Sequence, residues 1–392
     1  MKRLNPTIHF SLNQAAYWAN FSGVIAYASV FLLSLGFTNT QIGLVIAIGS
    51  GTAAIVQPLL GGHADRSKNC IHHKIITIIS LAAILLAGLL MLPGKTFWFT
   101  AILYGLLVFS VHVLTPITYS IGLFFIKKGV NINFGIARSA GSLSYALVSA
   151  LLGRLTAVYS VNVIMIVTIA LYLILIISTV TFHFKGISED NETAALFETG
   201  AKEKGFFTKN RRFLFVIIGV ICVFISHNLI NSYIFQIISY HGYGSKELGN
   251  SLLICAISEL PILFLYSKIS KRFNSGSMLK VSGVFFAVKS LAILMSTNIL
   301  QIYLAMPIQL LGYGLFSGAS VYYVNHTIEE KDRVRGQAFM TSVAPIGSVI
   351  GSVAGGWLLD RYSVPGLMIA STAVALVGAV IMIVSAEKGR KE

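Results

Sequence analysis

The chain alternates long apolar runs with short basic turns. Twelve runs are legible, at residues 8–34, 41–62, 75–92, 97–126, 136–159, 161–183, 213–240, 247–267, 279–297, 299–326, 337–359 and 364–386. A helix needs about 20 apolar residues to cross a hydrocarbon core of about 30 Å, and the runs are of that order. The pattern therefore predicts an all-α membrane protein with twelve transmembrane helices. The longest polar stretch, His183 to Arg212, mixes acids and bases with few large apolar side chains, as a flexible linker does. Six runs precede it and six follow. The expected organisation is two six-helix bundles, 1–184 and 213–392, joined by a cytoplasmic linker over 185–212.

Composition agrees, since 55% of the 392 residues are hydrophobic and only 11% are charged, against about a quarter charged in soluble domains. The net charge of +15 is explained by where the bases lie. With both termini inside, the cytoplasmic segments hold 24 of the 29 Lys and Arg residues, and Lys95, Arg154, Lys246 and Arg361 fall outside. That asymmetry follows the positive-inside rule and predicts a multi-pass protein of the cytoplasmic membrane with both termini in the cytoplasm. It leaves no call for a nucleic-acid partner. Lys2 and Arg3 precede an apolar stretch that contains Asn13, Gln14 and Asn20 and no small-residue cleavage site, so a retained first helix is expected rather than a signal peptide. Cys70, Cys222 and Cys255 have neither disulfide nor metal spacing. No cofactor and no enzymatic centre are expected.

Charge inside the runs changes the picture most. Glu259 is the one carboxylate well inside an apolar run, and Lys289 is the one ammonium. Glu259 lies 8 residues before the end of its run at 267, where the basic turn 268–280 begins, and Lys289 lies 9 residues after Lys280. At about 1.5 Å per residue both are roughly 12 to 14 Å from the same membrane face. An intramembrane ionisable group is a functional-site candidate by default. The pair reads either as a structural ion pair or as a proton-coupling pair. In the second reading Lys289 holds Glu259 ionised, and separating them lets the carboxylate take up a proton.

Polar residues mark further positions. Asn20, with Asn13, Gln14 and Ser22, makes the first run unusually polar, through either a polar cavity or interhelical hydrogen bonds. His227, Asn228, Asn231, Ser232, Tyr233 and Gln236 form a polar run in the seventh, suited to a hydroxylated solute. The tenth carries Gln309, Gly312, Tyr313, Tyr322 and Tyr323. His112 interrupts the fourth, and a lone histidine on an apolar helix is more often packing than a proton carrier.

Gly61-x-x-x-Asp65-Arg66-Ser67-Lys68 after the second run resembles the cytoplasmic signature of the major facilitator superfamily. The resemblance implies the major facilitator fold, with Gly61, Asp65 and Arg66 as a cytoplasmic gate. Arg138 and Tyr145, in Phe134-Gly135-Ile136-Ala137-Arg138-Ser139-Ala140-Gly141-Ser142-Leu143-Ser144-Tyr145, resemble the fifth helix of the oligosaccharide:proton symporters and the related phenylpropionate permease group. In those symporters the Arg contacts sugar hydroxyls and the aromatic stacks on the sugar ring. Hydropathy alone leaves Arg138 at the cytoplasmic edge, whereas the resemblance turns it into the cavity. Ser258-Glu259-Leu260-Pro261 resembles the family's Glu-x-Pro, whose Glu serves binding and coupling, and Lys289 stands where a membrane Arg is usual. The chain departs from lactose permease at the tenth helix, where Gln309 and Gly312 replace a His and a carboxylate, and at the fourth, where Ser120 replaces a carboxylate.

The resemblance implies a secondary active transporter, working as a monomer, that imports a small organic solute with protons by alternating access. The solute would be a sugar, glycoside, nucleoside or aromatic acid. Glu259 and Lys289 are the expected coupling pair, and Arg138, Tyr145, Asn20, Asn231, Gln309 and His227 the expected solute contacts. A drug or metabolite exporter of the same superfamily is the alternative; against it, Ser139 to Tyr159 has no proline where drug:proton antiporters carry a Gly-Pro signature.

Overall fold

In hydrocarbon a backbone amide has no water to pair with, so each apolar run satisfies its own hydrogen bonds as a helix. The structure, a computed structural model, describes residues 5–66, 72–94, 96–184 and 206–387, leaving aside the side chains of 61–66 and of Leu263, Phe264 and Ser267. The chain folds as α1 (Pro6–Phe21), α2 (Ala28–Ser34), α3 (Asn39–Arg66), α4 (His72–Leu89), α5 (Phe97–Lys127), α6 (Phe134–Val158) and α7 (Val163–Val180). After 185–205, which lie outside the described residues, come α8 (Phe206–Lys209), α9 (Arg211–Asn231), α10 (Ile234–Tyr240), α11 (Ser245–Arg272), α12 (Ser275–Leu294), α13 (Ile299–Ala305), α14 (Tyr313–Thr327) and α15 (Arg333–Ser385).

Helix covers every expected span. Among the described residues nine helices are long and apolar enough to cross a bilayer, or ten if α1 and α2 form one bent span. The α15 helix counts once there although it takes in two expected spans, and α11 is not among the nine. The helix starts are written locally. Asn5, Asn133, Asn274 and Asn298 each accept a hydrogen bond from a backbone N–H of the first turn that follows, which satisfies an amide the helix cannot.

Residue contacts gather into two units, 1–37 with 44–196 and 248–253, and 38–43 with 197–247 and 254–392. In the first, α1 packs on α6 and α7, and α4 on α5 and α7. In the second, α9 and α12 pack along α15. Small residues bring α9 and α15 close: a Cβ on Gly378 would sit 2.7 Å from the Gly219 carbonyl oxygen. This is how membrane helices gain contact where water supplies no hydrophobic drive. The linker expected over 185–212 ends earlier, because Phe206 is buried and packs with Phe207 on Phe339. Two aromatic side chains here outweigh the polar average of the stretch.

Interruptions in the helices position the side chains that matter below. A π-type turn, Ser22–Ala26, precedes a 43° bend into α2. The seventh span breaks between α9 and α10 at Ser232 and Tyr233. The tenth breaks between α13 and α14 at a 3₁₀ turn, Met306–Leu310. Ser363, inside α15, has φ 59 and ψ −172, a conformation that ends the helical run at the turn between the last two expected spans.

Candidate functional site

The two membrane charges belong to one polar chain within the second unit. Lys289, in the second half of α12, is 3% exposed. Its ammonium donates to Gln309 Oε1 and lies 3.5 Å from Asn231 Oδ1. Gln309 Nε2 in turn donates to Glu259 Oε1 at 2.5 Å. Sequence spacing pointed to a direct Lys289 to Glu259 partnership; in the structure the Gln309 amide bridges them. An amide can do this because it donates at one end and accepts at the other, and the bridge has one polarity when the lysine is charged and the carboxyl is ionised.

Each member is placed by an interruption of its own helix. Gln309 occupies the 3₁₀ turn started by Pro307, where a regular helix would point the side chain elsewhere. Asn231 ends α9. Glu259 stands two residues before Pro261, which has no N–H for the Ile257 carbonyl. Asn231 Nδ2 lies 2.8 Å from His227 Nε2, and the His227 ring lies parallel to the Tyr313 ring, 7° off plane at 5.4 Å between centroids. The polar chain thus runs Glu259, Gln309, Lys289, Asn231, His227, Tyr313. Sequence reasoning singled out the first five but gave Gln309 no part in the charge pair, and it passed over Tyr313 as a stacking partner. The signal available was the polarity of Gln309 in an apolar run one turn before Tyr313.

The first unit holds the remaining candidates. Arg138, four residues into α6, lies over the Trp18 ring at 4.2 Å and donates to Ser142 Oγ at 2.8 Å. A cation over an indole face is an attractive contact. Gly141 makes room for it, since a Cβ there would meet Trp18. Tyr145 is half-buried, with its carbonyl accepting from Ser149 Oγ. Asn20 is fully buried; its Nδ2 donates to the Ala16 carbonyl and its Oδ1 has no partner among the described residues. Gly61, Asp65 and Arg66 end α3, and their side chains lie outside the described ones. Among the described residues no three His, Cys, Asp or Glu side chains come together as a metal site.

Comparison with known proteins decides the family. The profile of the MFS_1-like family matches residues 12–369. The chain belongs to the MFS_1-like family. It is a multi-pass membrane transporter of the major facilitator superfamily, as the Gly61 to Lys68 signature implied. No curated protein sequence matches the chain. Solved structures share the fold at low identity. The crystal structure of the nucleoside transporter NupG has a TM-score of 0.80 at 13% identity, covering 97% of this chain and 98% of that one. The peptide transporter POT in complex with alafosfalin gives 0.75 at 12%, covering 98% and 96%. A bacterial homologue of the human drug peptide transporters PepT1 and PepT2 gives 0.71 at 13%, covering 97% of each.

Proposed function

We propose that this transporter imports a small neutral or weakly acidic organic solute together with protons, by alternating access, as a monomer in the cytoplasmic membrane with both termini inside. The observation that carries the reading is the buried chain Lys289 to Gln309 to Glu259. An ionised Glu259 accepts from the Gln309 amide N–H, which turns the amide oxygen toward the Lys289 ammonium. A proton arriving from outside water converts Glu259 into a donor at one oxygen. The other oxygen still accepts from the Gln309 amide, but the bond is no longer assisted by a carboxylate charge, and the hold that orients the amide oxygen toward Lys289 weakens. Protonation of one buried group is thereby felt by another on a different helix. Release of the proton to inside water restores the bridge. The resemblance of the fold to a nucleoside transporter supports an organic solute over an inorganic ion.

The test uses Glu259→Gln with Lys289→Met. Losing one partner of a buried pair costs about 3 to 5 kcal/mol, while losing both can be nearly neutral. The double variant is expected to regain stability and to exchange solute down a gradient, but not to accumulate it against one when a pH gradient is imposed on vesicles. Proton-driven accumulation by the double variant would sink Glu259 as the coupling residue.

A further inference from the structure

Three fully buried polar groups of the first unit stop short of a partner. Asn20 Oδ1 and Thr168 Oγ1 have none among the described residues, and the Tyr172 hydroxyl reaches toward Ser110 of α5 without closing a hydrogen bond. All three residues are 0% exposed. Buried polar atoms are almost always paired, with protein or with ordered water, because a bare one forfeits the hydrogen bonds it has in bulk solvent. Thr168 is the most telling of the three. A threonine inside a helix can return its hydrogen to the carbonyl one turn back, as Thr156 does to Leu152 and Thr181 to Ile177, both at 2.6 Å. Thr168 does not.

Register brings the three groups to one level of the α1–α7 interface. Asn13 Nδ2 donates to Thr179 Oγ1 at 2.8 Å, and an added Cβ on Gly23 would lie 2.8 Å from Thr168 Oγ1. From Asn13 to Gly23 is 10 residues and from Thr179 back to Thr168 is 11, so the two helices keep step in opposite directions. Asn20, three residues before Gly23, therefore stands level with Tyr172, one turn from Thr168. Gly23 also supplies room. Its missing side chain leaves about a methyl group's space against Thr168 Oγ1, with Leu152 Cδ1 as the other neighbour at 3.8 Å. That glycine lies in the π-type turn Ser22–Ala26, where α1 gives up its regular helix before the 43° bend.

We propose that the α1–α7 interface binds a buried water that accepts from Thr168 and Tyr172 and donates to Asn20 Oδ1, and that this water joins α7 to the bend of α1. Three partners is the usual number for a buried water. A metal cation suits the site less well. It would draw lone pairs from all three groups and leave the hydroxyl hydrogens of Thr168 and Tyr172 with no acceptor. The water gives each group what it lacks, an acceptor for the two hydroxyls and a donor for the amide oxygen. Its place beside the π-type turn matters, because a bridge through water can exchange partners as the bend opens or closes, whereas a direct side-chain bond has to break. Asn20 then serves the bend of α1 rather than the solute.

The test is X-ray radiolysis of the full chain in nanodiscs, read by mass spectrometry. Hydroxyl radicals made from a bound water oxidise the side chains beside it. Tyr172, at 0% exposure, is therefore expected to be oxidised along with Tyr159, which is 65% exposed, and to lose its label in Asn20→Leu. No label on Tyr172, or a label that persists in Asn20→Leu, overturns the water site. Stability supplies a second readout whose sign separates the alternatives. With the water bound, Thr168→Val and Tyr172→Phe each remove one of its partners and are expected to lower the unfolding temperature by about 2 °C. In a dry interface the same substitutions remove a bare buried hydroxyl and raise it. No fall in either variant overturns the proposal, and where a variant fails to fold the labelling of the unaltered chain decides.

Discussion

At the scale of single residues, Gln309 has the most to lose. Its amide hydrogen-bonds both Lys289 and Glu259. Hydrogen bonds to charged groups contribute about 1.5 to 3 kcal/mol each, so Gln309→Met should destabilise by about 2 kcal/mol or more, seen as a lower unfolding temperature in mild detergent. Gln309→Glu places a carboxylate beside Lys289 and should leave the lysine partnered while disturbing Glu259. Stability near the wild type in Gln309→Met would mean that the bridge is not formed in the membrane. Arg138 makes a second case. The flat guanidinium covers the Trp18 ring and reaches Ser142 at once, and an ammonium offers neither the plane nor the fork. If Arg138 contacts solute, Arg138→Lys should weaken solute binding about tenfold or more, since each tenfold is about 1.4 kcal/mol. Unchanged affinity would confine Arg138 to packing.

At the scale of elements, the start of α3 and the turn inside α15 act together within the second unit. Asp360 Oδ1 accepts from the backbone N–H and the side-chain amide of Asn39, at 3.2 and 2.9 Å, and Oδ2 accepts from the Thr40 N–H at 2.8 Å. This caps α3 with a carboxylate supplied from about 320 residues away. Partial burial works against the charge, but the hydrogen bonds from Thr40 and Asn39 outweigh it and hold the carboxyl below its ordinary value of 3.8. The folded-state value is depressed, so the contribution is present above the unfolded value and is lost as pH falls through the folded one, below about pH 4. Asp360→Asn should cost about 1 kcal/mol or less, because the site is open to solvent, and should flatten the acid limb of stability against pH. An acid limb identical to that of the wild type would assign it to other groups. Three residues on, Ser363 holds φ 59 with ψ −172, which favours glycine. Ser363→Gly should raise stability by about 1 kcal/mol, and a fall in unfolding temperature would show that the serine side chain is needed there.

At the scale of the whole molecule the testable statement is orientation. Bases on the expected cytoplasmic side outnumber those outside by 24 to 4, and it is local Lys and Arg near the spans that set topology. A cysteine placed at Lys202 should be shielded from an impermeant thiol reagent in intact cells and labelled in permeabilised cells. Labelling in intact cells would reverse the assignment. Two surface ion pairs of the second unit, Lys209 to Glu329 and Arg212 to Glu387, lie at the ends of helices that this topology puts inside. Exposed pairs of this kind add little to stability.

Hydropathy by itself determined that the chain is helical and crosses the membrane many times, because long apolar runs have no other way to satisfy a backbone in lipid. Short motifs such as Gly61 to Lys68 were enough to point to the superfamily, since they combine a tight glycine with charges at a span end. Glu259 and Lys289 stood out for the same elementary reason: a charge in an apolar run is expensive and must be accounted for. Hydropathy did not reach the breaks within spans. The 3₁₀ turn at Met306–Leu310 and the helix break after Asn231 leave no trace in a hydropathy pattern, which averages over windows longer than a turn. Nor could spacing along the chain show that an amide stands between the ammonium and the carboxylate, or that Tyr313 lies flat on His227. Those facts depend on the azimuth of side chains on different helices. Azimuth is set by how the helices pack, through contacts between residues far apart in sequence, and only the tertiary structure decides it.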